Sequence, residues 1–237
     1  MSAQTKPLSS NHSFRWMSAD AYLFDIDGTL VNSRDGVHYN AFHVALQKVY
    51  GLTTKIDSVP VHGNTDLGIL RAVTLNGGIS EADFLAKLPA AIDIMCEEAR
   101  RNAGKMAPQV CPSVVEMLLR LQTAGKLLGV VSGNLEPIGW LKLQAAELRQ
   151  FFAFGSFSGP NELRADIFRQ GIGEARRQLG EGAQVCIVGD TPSDIQAARQ
   201  LQVPVISVAT GMFSQEELLS HGPDTCVTCC TDLLQLA

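Results

Sequence analysis

The chain has 237 residues, of which 46% are hydrophobic and 18% are charged, and its formal net charge is −5. This length allows one core domain with a modest insert, and the composition is ordinary for a globular protein. The negative net charge excludes a basic footprint for nucleic acid or for anionic membranes, and no apolar run is long enough to span a bilayer.

The beginning of the chain is predicted to lie outside the folded domain. Residues 1–18 are polar and contain no apolar stretch, so we interpret them as a flexible tail and not as a secretory signal. Phe14 and Trp16 are the residues of this tail that have the apolar surface to dock onto the domain.

Six cysteines are scattered along the chain, which suits reduced thiols in a cytoplasm better than a disulfide framework. Cys226, Cys229 and Cys230 cluster near His221 and invite comparison with a zinc or redox site. No second Cys/His pair with suitable spacing accompanies them, so we interpret them as small apolar residues. The predicted location of the protein is the cytoplasm.

The first predicted strand ends in two acids. Residues 21–30 read Ala-Tyr-Leu-Phe-Asp-Ile-Asp-Gly-Thr-Leu, a short apolar run followed by Asp25 and Asp27. Residues two apart on an extended chain project to the same side, so we expect both carboxylates to face one pocket. Gly28 allows a sharp turn and a close approach to a ligand. Two acids this close need a cation or a proton between them, which predicts a hard metal ion such as Mg²⁺.

The segment that follows, residues 33–106, is predicted to be helical. Its apolar periodicity predicts three helices, over residues 36–50, 65–74 and 80–103. Pro89 predicts a kink or a break in the third of these helices. No strand pattern stands out in this segment, so we predict a helical insert.

From residue 110 onward, predicted strands alternate with predicted helices. The strands are predicted at 127–131, 151–157, 185–188 and 203–208, and the helices at 111–123, 135–148, 166–179, 192–201 and 214–220. Strands that alternate with helices of this length pair in parallel. We therefore predict an α/β fold with a Rossmann-like parallel sheet.

Two further strands are also followed by polar loops. The first of these loops is Ser132-Gly133-Asn134, and the second contains Asp190 with Asp194 four residues on. Open parallel sheets bind ligands beyond the carboxyl ends of their strands. A hydroxyl and backbone N–H groups near a helix start suit a phosphate, and the two acids suit further oxygen ligands of the metal.

These motifs resemble those of the haloacid dehalogenase superfamily, in particular its phosphoglycolate phosphatase and β-phosphoglucomutase-like members, over nearly the whole chain. Most members are Mg²⁺-dependent phosphohydrolases that work through an aspartyl-phosphate. The resemblance implies that Asp25 is the nucleophile and that Asp27 is the general acid and base, with its backbone carbonyl on the metal. It also implies that Ser132 binds phosphate and that Asp190 and Asp194 serve the metal.

The third motif of the family departs from the usual pattern. Members usually have a Lys before the helix that follows the third strand, and this chain has none there. Arg164 stands directly ahead of Ala165 and of Asp166-Ile167-Phe168, which matches what commonly follows the basic residue. We predict that Arg164 neutralises the nucleophile and the phosphate, since Arg can hold phosphate with two hydrogen bonds.

The helical insert resembles the cap domain of this family. The implied domains are a core of residues 19–32 and 107–237 and a cap of residues 33–106. Lys48 and Lys55 are the nearest candidates for the Schiff-base lysine of phosphonatase-type members, and neither has a convincing context. Residues predicted to contact the leaving group or to close the site are His38, Asn64, Thr65 and Arg71.

The sequence thus predicts a Mg²⁺-dependent phosphohydrolase that acts on a small phosphorylated metabolite, as a monomer or a homodimer, without nucleic-acid or membrane partners. Two alternatives stay open: a sugar-phosphate mutase of the β-phosphoglucomutase type, and a non-catalytic phosphate-binding or regulatory protein of the same fold. Intact Asp25, Asp27, Ser132 and Asp190 argue against the second alternative. The sequence does not identify the substrate.

Overall fold

The computed structural model describes residues 15–159 and 161–236. Its strands are β1 (Ala21–Phe24), β2 (Val31–Asn32), β3 (Gln109–Val110), β4 (Leu127–Leu135), β5 (Phe154–Ser158), β6 (Val185–Gly189), β7 (Val205–Val208) and β8 (Thr225–Val227). Its helices are α1 (Val37–Tyr50), α2 (Asp66–Asn76), α3 (Glu81–Arg101), α4 (Val114–Thr123), α5 (Glu136–Ala145), α6 (Arg164–Leu179), α7 (Pro192–Gln200), α8 (Gln215–Ser220) and α9 (Cys230–Gln235).

Six of these strands form one parallel sheet in the order β5-β4-β1-β6-β7-β8. The chain runs from β1 outward through β4 to β5, and it then returns to the other side of β1 for the remaining three strands. The strand order therefore reverses beside β1, in the middle of the sheet. The predicted α/β fold with a parallel sheet is confirmed.

Helices cover both faces of the sheet. Alternate residues of β1 point to opposite sides, as the pleat of a strand requires. Tyr22 and Phe24 belong to an apolar cluster with side chains of α4, α5 and α9, whereas Leu23 belongs to another with side chains of α6 and α7. All three side chains are fully buried. This double anchoring fixes the end of β1, where the two acids follow.

Helices α1, α2 and α3 share an apolar cluster of their own. Phe42, Leu70 and Met95 are buried in it, and Ile138 of α5 joins them from the other part of the chain. Strands β2 and β3 pair antiparallel where the chain enters and leaves this helical insert. The division of the chain into core and cap domains stays a prediction.

Two prolines stand where the sequence predicts a change in a helix. Helix α3 continues through Pro89, so the chain does not break there, and the alternative of a kink stays a prediction. Pro89 lies on the exposed side of the helix together with Leu85, whose carbonyl loses its partner at the proline, and water can bond that carbonyl. The helix predicted over residues 111–123, which include Pro112, begins only at Val114, because Ser113 adopts a left-handed conformation with φ of 58°.

The two ends of the described chain contact each other beside the core. The Trp16 side chain is 3% exposed, and its Nε1 donates a hydrogen bond to the backbone oxygen of Leu236 at 3.0 Å. The predicted docking of tail aromatics is thus seen for Trp16, and Phe14 lies outside the described residues.

The cysteine cluster near the end of the chain forms local structure that the sequence does not predict. Cys226 lies in β8, and Cys230 is buried as the first residue of α9. Within residues 15–159 and 161–236, the groups of side chains able to hold a metal do not include these cysteines. No helix of this part of the chain combines the length and the hydrophobicity that crossing a bilayer needs.

Candidate active site

Four polar side chains gather at the carboxyl ends of three strands. Asp25 follows β1, Asp190 follows β6, Ser132 lies near the end of β4, and Asp27 stands two residues beyond Asp25. All four line one cavity of about 470 Å³, together with residues of the helical insert. The cavity lies beside β1, where the strand order reverses and where open parallel sheets bind ligands.

Gly28 allows the loop after β1 to pass close to Asp190. Its φ of +83° is left-handed, and a Cβ on this residue would lie 2.2 Å from Oδ2 of Asp190. The next residue, Thr29, donates a hydrogen bond from Oγ1 to Oδ1 of Asp190 at 3.0 Å. Gly28 and Thr29 therefore hold Asp190, which follows β6, against the loop that carries Asp27.

Asp25, Asp190 and Asp194 form a buried acidic cluster. One oxygen from each carboxylate lies within 4.8 Å of the others, and the three residues are 4%, 3% and 0% exposed. Burial raises the pKa of both Asp25 and Asp190, and the neighbouring carboxylates add to this, while Arg164 opposes it. Oδ1 of Asp25 is buried without a hydrogen-bond partner. Crowded carboxylates with an unpartnered oxygen fit a hard cation such as Mg²⁺.

Asp194 is the most firmly held of these acids. Its Oδ2 accepts hydrogen bonds from the backbone N of Thr191 at 3.0 Å and from Oγ1 of the same residue at 2.7 Å. Thr191 in turn caps α7 by accepting from the backbone N of Asp194. The other oxygen, Oδ1, pairs with Nη1 of Arg164 at 2.5 Å. Both oxygens of Asp194 are therefore engaged by the protein.

Arg164, the first residue of α6, stands beside the predicted nucleophile. Its Nη1 lies 3.4 Å from Oδ2 of Asp25, and its Nε donates to the backbone oxygen of Gly63 at 3.2 Å. Its side chain is only 9% exposed. Burial acts to lower the pKa of the guanidinium, but the charges of Asp194 and Asp25 outweigh it and raise that pKa. A fixed cation therefore stands beside Asp25, in a chain whose third motif has no Lys.

Lys142 of α5 is a second buried cation, which the sequence reasoning missed. Its Nζ lies 2.6 Å and 2.8 Å from the two carboxylate oxygens of Asp27, and it donates to Oδ1 of Asn134 at 2.9 Å. Its side chain is 5% exposed. The available signal was its place four residues after the buried Ile138, on the same face of one helix, where a lysine is unusual.

The Asn134 side chain joins the last residues of β4 to the loop that follows β1. Its Nδ2 donates to Oδ2 of Asp27 and to Oγ of Ser132, both at 2.8 Å. Burial acts to raise the pKa of Asp27, but the ammonium of Lys142 and these hydrogen bonds outweigh it, and the pKa is lowered. The Asp27 side chain stays 42% exposed, whereas Ser132 is almost fully buried.

Two of the predicted insert residues, His38 and Asn64, line the cavity. Nε2 of His38 lies 3.0 Å from Oδ2 of Asp66, and the same oxygen accepts from the backbone N of Leu135 at 2.7 Å. Asn64 passes so close to β4 that a Cβ on Gly133 would lie 2.6 Å from its backbone oxygen. The insert therefore packs directly against the predicted phosphate loop.

The other two predicted insert residues, Thr65 and Arg71, contact the core outside the cavity lining. Thr65 caps α2, and its Oγ1 also donates to the backbone oxygen of Glu162 at 2.7 Å. Nε of Arg71 donates to Oε1 of Glu162 at 2.8 Å. Both residues thus tie the insert to the loop before α6. Lys48 and Lys55 are exposed and do not line the cavity.

A family model described as a haloacid dehalogenase-like hydrolase matches residues 19–202, which is more than half of the chain. The chain belongs to this family. The family predicted from the sequence is therefore confirmed, and so is the predicted enzyme class, a phosphoric monoester hydrolase.

This haloacid dehalogenase-like hydrolase has curated relatives of similar length. The phosphoglycolate phosphatase of Synechococcus elongatus is 26% identical over 219 residues, which cover 91% of this chain and 95% of that protein. The phosphoglycolate phosphatase of Escherichia coli is 26% identical over 237 aligned positions and covers 89% of this chain and 89% of that protein.

Solved structures show the same fold as this hydrolase. CbbY from Rhodobacter sphaeroides in complex with phosphate superposes with a TM-score of 0.65 at 17% identity, over 91% of this chain and 96% of that one. A haloacid dehalogenase-like family protein from Streptococcus pneumoniae gives a TM-score of 0.63 at 21% identity, over 92% and 98% of the two chains.

Proposed function

We propose that the protein is a Mg²⁺-dependent phosphohydrolase that cleaves a small phosphorylated metabolite through an aspartyl-phosphate on Asp25. One observation carries this proposal: Asp25 lies in the cavity between the guanidinium of Arg164 and the carboxylate of Asp190, with one oxygen unpartnered. Two phosphoglycolate phosphatases align with this chain over most of their length, and they support the reaction class.

In the first step, Asp25 attacks the phosphorus atom while the bond to the leaving alcohol oxygen breaks. The electron pair of that bond stays on the oxygen, and Asp27 supplies the proton from its protonated form, which the lowered pKa makes the minor one. In the second step, a water molecule attacks the same phosphorus while the bond to the Asp25 carboxylate breaks. Asp27 takes the proton of the water, and inorganic phosphate leaves with Asp25 restored.

The remaining groups hold the reactants in place. The Ser132 hydroxyl, the backbone N–H of Gly133 and the guanidinium of Arg164 would bind the phosphate oxygens. Asn134 would act through Ser132 and Asp27, to which it is bonded, and not by direct contact with phosphate.

Asp25, Asp190 and the backbone carbonyl of Asp27 would hold Mg²⁺, because each offers an oxygen at the cavity. When bound, the ion supplies positive charge that offsets the acids and the incoming phosphate. Asp194 would orient this set through Arg164, since both of its own oxygens are engaged by protein groups.

Phosphate release from a panel of sugar, polyol, glycolate and nucleotide phosphates tests this function. We expect hydrolysis that EDTA abolishes and that added Mg²⁺ restores, because the crowded acids and the phosphate repel each other without a cation. Full activity in metal-free enzyme would refute the proposal, and so would the absence of hydrolysis with every ester. Isomerised sugar phosphate in place of free phosphate would select the mutase alternative instead.

A further inference from the structure

The cavity has an apolar wall, beside polar lining residues that include Asp35, His38 and His62. The side chains of this wall come from α1, from the insert loop before α2, from α2 itself and from the loop between β7 and α8. They are Tyr39, Phe42, Ile56, Val61, Ile69 and Met212. Met212 is 70% exposed, so it presents apolar surface to whatever enters. A wall of this kind gains free energy by covering apolar surface of a ligand.

The cations of this cavity are committed to other partners or exposed. Lys142 is bonded to Asp27, and Arg164 is paired with Asp194 and lies beside Asp25. Among the described residues that line the cavity, the other side chains that can carry a positive charge are Arg34 and His62, which are exposed, and His38, which is paired with Asp66. An exposed cation contributes little to binding an anion, because water and salt screen it. The described lining residues therefore include no buried cation that is free to pair with a second anionic group.

The volume of the cavity also exceeds what the smallest substrates need. Water in the liquid takes up about 30 Å³ per molecule, so 470 Å³ corresponds to roughly fifteen water molecules. A phosphate ester of a two-carbon acid fills only part of this space. A larger body would reach the apolar wall.

On the basis of the function proposed above, we infer that the preferred substrate is a phosphate monoester whose alcohol has an uncharged, largely apolar body larger than glycolate. The phosphate would bind at Ser132 and Arg164, and the body of the alcohol would lie against Phe42, Val61 and Met212. A second anion, such as the carboxylate of 2-phosphoglycolate, would meet apolar side chains where it needs a cation.

A homologous series of substrates tests this inference in the wild-type enzyme with Mg²⁺. We expect kcat/KM to rise about two- to fourfold per added methylene from ethyl to n-hexyl phosphate, since each buried methylene contributes roughly 0.8 kcal/mol. We expect n-propyl phosphate to exceed 2-phosphoglycolate at least tenfold in kcat/KM. A higher kcat/KM for 2-phosphoglycolate than for n-propyl phosphate would overturn the inference and leave the phosphatase function standing.

Three variants test which residues determine the preference for n-propyl phosphate over 2-phosphoglycolate. Val61→Lys should shift the ratio of the two kcat/KM values toward 2-phosphoglycolate by roughly tenfold, because it adds a cation at a half-buried position of the apolar wall. Leu119→Lys, a change at an exposed residue of α4 outside the cavity lining, should leave that ratio within twofold. Arg34→Gln should lower kcat/KM for both esters by the same factor. A loss confined to 2-phosphoglycolate in Arg34→Gln would show that Arg34 binds the carboxylate, and would overturn the inference.

The function and the inference fail in different ways. If the wild-type enzyme with Mg²⁺ hydrolyses none of these esters and also leaves p-nitrophenyl phosphate intact, the phosphatase function itself is refuted. If it hydrolyses p-nitrophenyl phosphate but kcat/KM does not change along the alkyl series, only the apolar preference is refuted.

Discussion

Each of the two acids that follow β1 has a buried cation beside it. Arg164 stands beside Asp25, and Lys142 holds Asp27 together with Asn134. The sequence predicted Arg164 from its place ahead of Asp166, whereas Lys142 was missed because its one signal was its position four residues after Ile138 on a helix. A lysine in a helix is usually exposed. Only the tertiary fold shows that Lys142 points toward Asp27, which follows the first strand.

Replacing Lys142 tests whether it positions Asp27. In Lys142→Gln we expect kcat to fall roughly tenfold to a hundredfold with KM within about threefold, because Asp27 loses its ionic partner while the phosphate contacts remain. Lys48→Gln, at an exposed lysine of α1, is the matched control and should keep full activity.

Steady-state kinetics of these variants measure the loss of kcat, and thermal melting shows whether the fold is intact. The Asp27 side chain is 42% exposed, so water can replace the lost partner and the fold should survive. An unchanged kcat in folded Lys142→Gln would contradict the positioning role, and a loss of activity in Lys48→Gln would revive the Schiff-base hypothesis.

Replacing Arg164 tests whether its guanidinium stabilises the charge of the phosphate. Arg164→Ala should lower kcat/KM by roughly a hundredfold or more, in line with the loss of one charge-stabilising donor. Arg164→Lys should retain part of the activity, because the charge survives while the forked geometry does not. Mg²⁺-loaded protein should be used, since Asp25 and Asp190 would otherwise be left buried without a cation. Near wild-type kcat/KM in a folded Arg164→Ala would count against this role.

At the scale of elements, the sequence predicted the strands and helices that have a clear apolar periodicity, and it missed those that are defined mainly by their packing. Apolar runs that end in acids predicted β1 and β6 well. Strand β4 extends to Leu135 with an irregular register after Ser132, which periodicity alone cannot show. Strand β8 and helix α9 were missed because they are short and rich in threonine and cysteine, and only their packing against neighbouring elements defines them.

The contact between the insert and β4 is open to a direct test. Gly133→Ala would place a methyl group 2.6 Å from the backbone oxygen of Asn64, so the insert loop must move away. We expect KM to rise roughly threefold to tenfold and Tm to fall by several degrees, as overpacking costs about 1–3 kcal/mol. Kinetics and thermal melting measure both effects.

Gly173→Ala in α6 is the control for this change. A Cβ at Gly173 meets no atom within 4 Å, so alanine should keep KM unchanged and stabilise the helix by up to about 1 kcal/mol. If Gly133→Ala behaves like Gly173→Ala, the insert loop does not depend on this close approach.

At the scale of the whole molecule, the candidate site needs both the sheet and the insert. The sheet supplies Asp25, Ser132 and Asp190 from three strand ends, and the insert supplies most of the apolar wall. Motifs predicted the first set because each one is contiguous in sequence. The wall comes from four separate segments whose meeting depends on the tertiary fold, so the sequence could not indicate the substrate body.

The most direct test of the whole account is to trap the intermediate on Asp25. Enzyme turning over a phosphate ester with Mg²⁺ is quenched in acid and reduced with borohydride, which converts an aspartyl-phosphate to homoserine, and its peptides are sequenced by mass spectrometry. We predict homoserine at position 25 that depends on the presence of substrate. An enzyme that releases phosphate but shows no homoserine, or shows it at another aspartate, would contradict the assignment of Asp25 as the nucleophile.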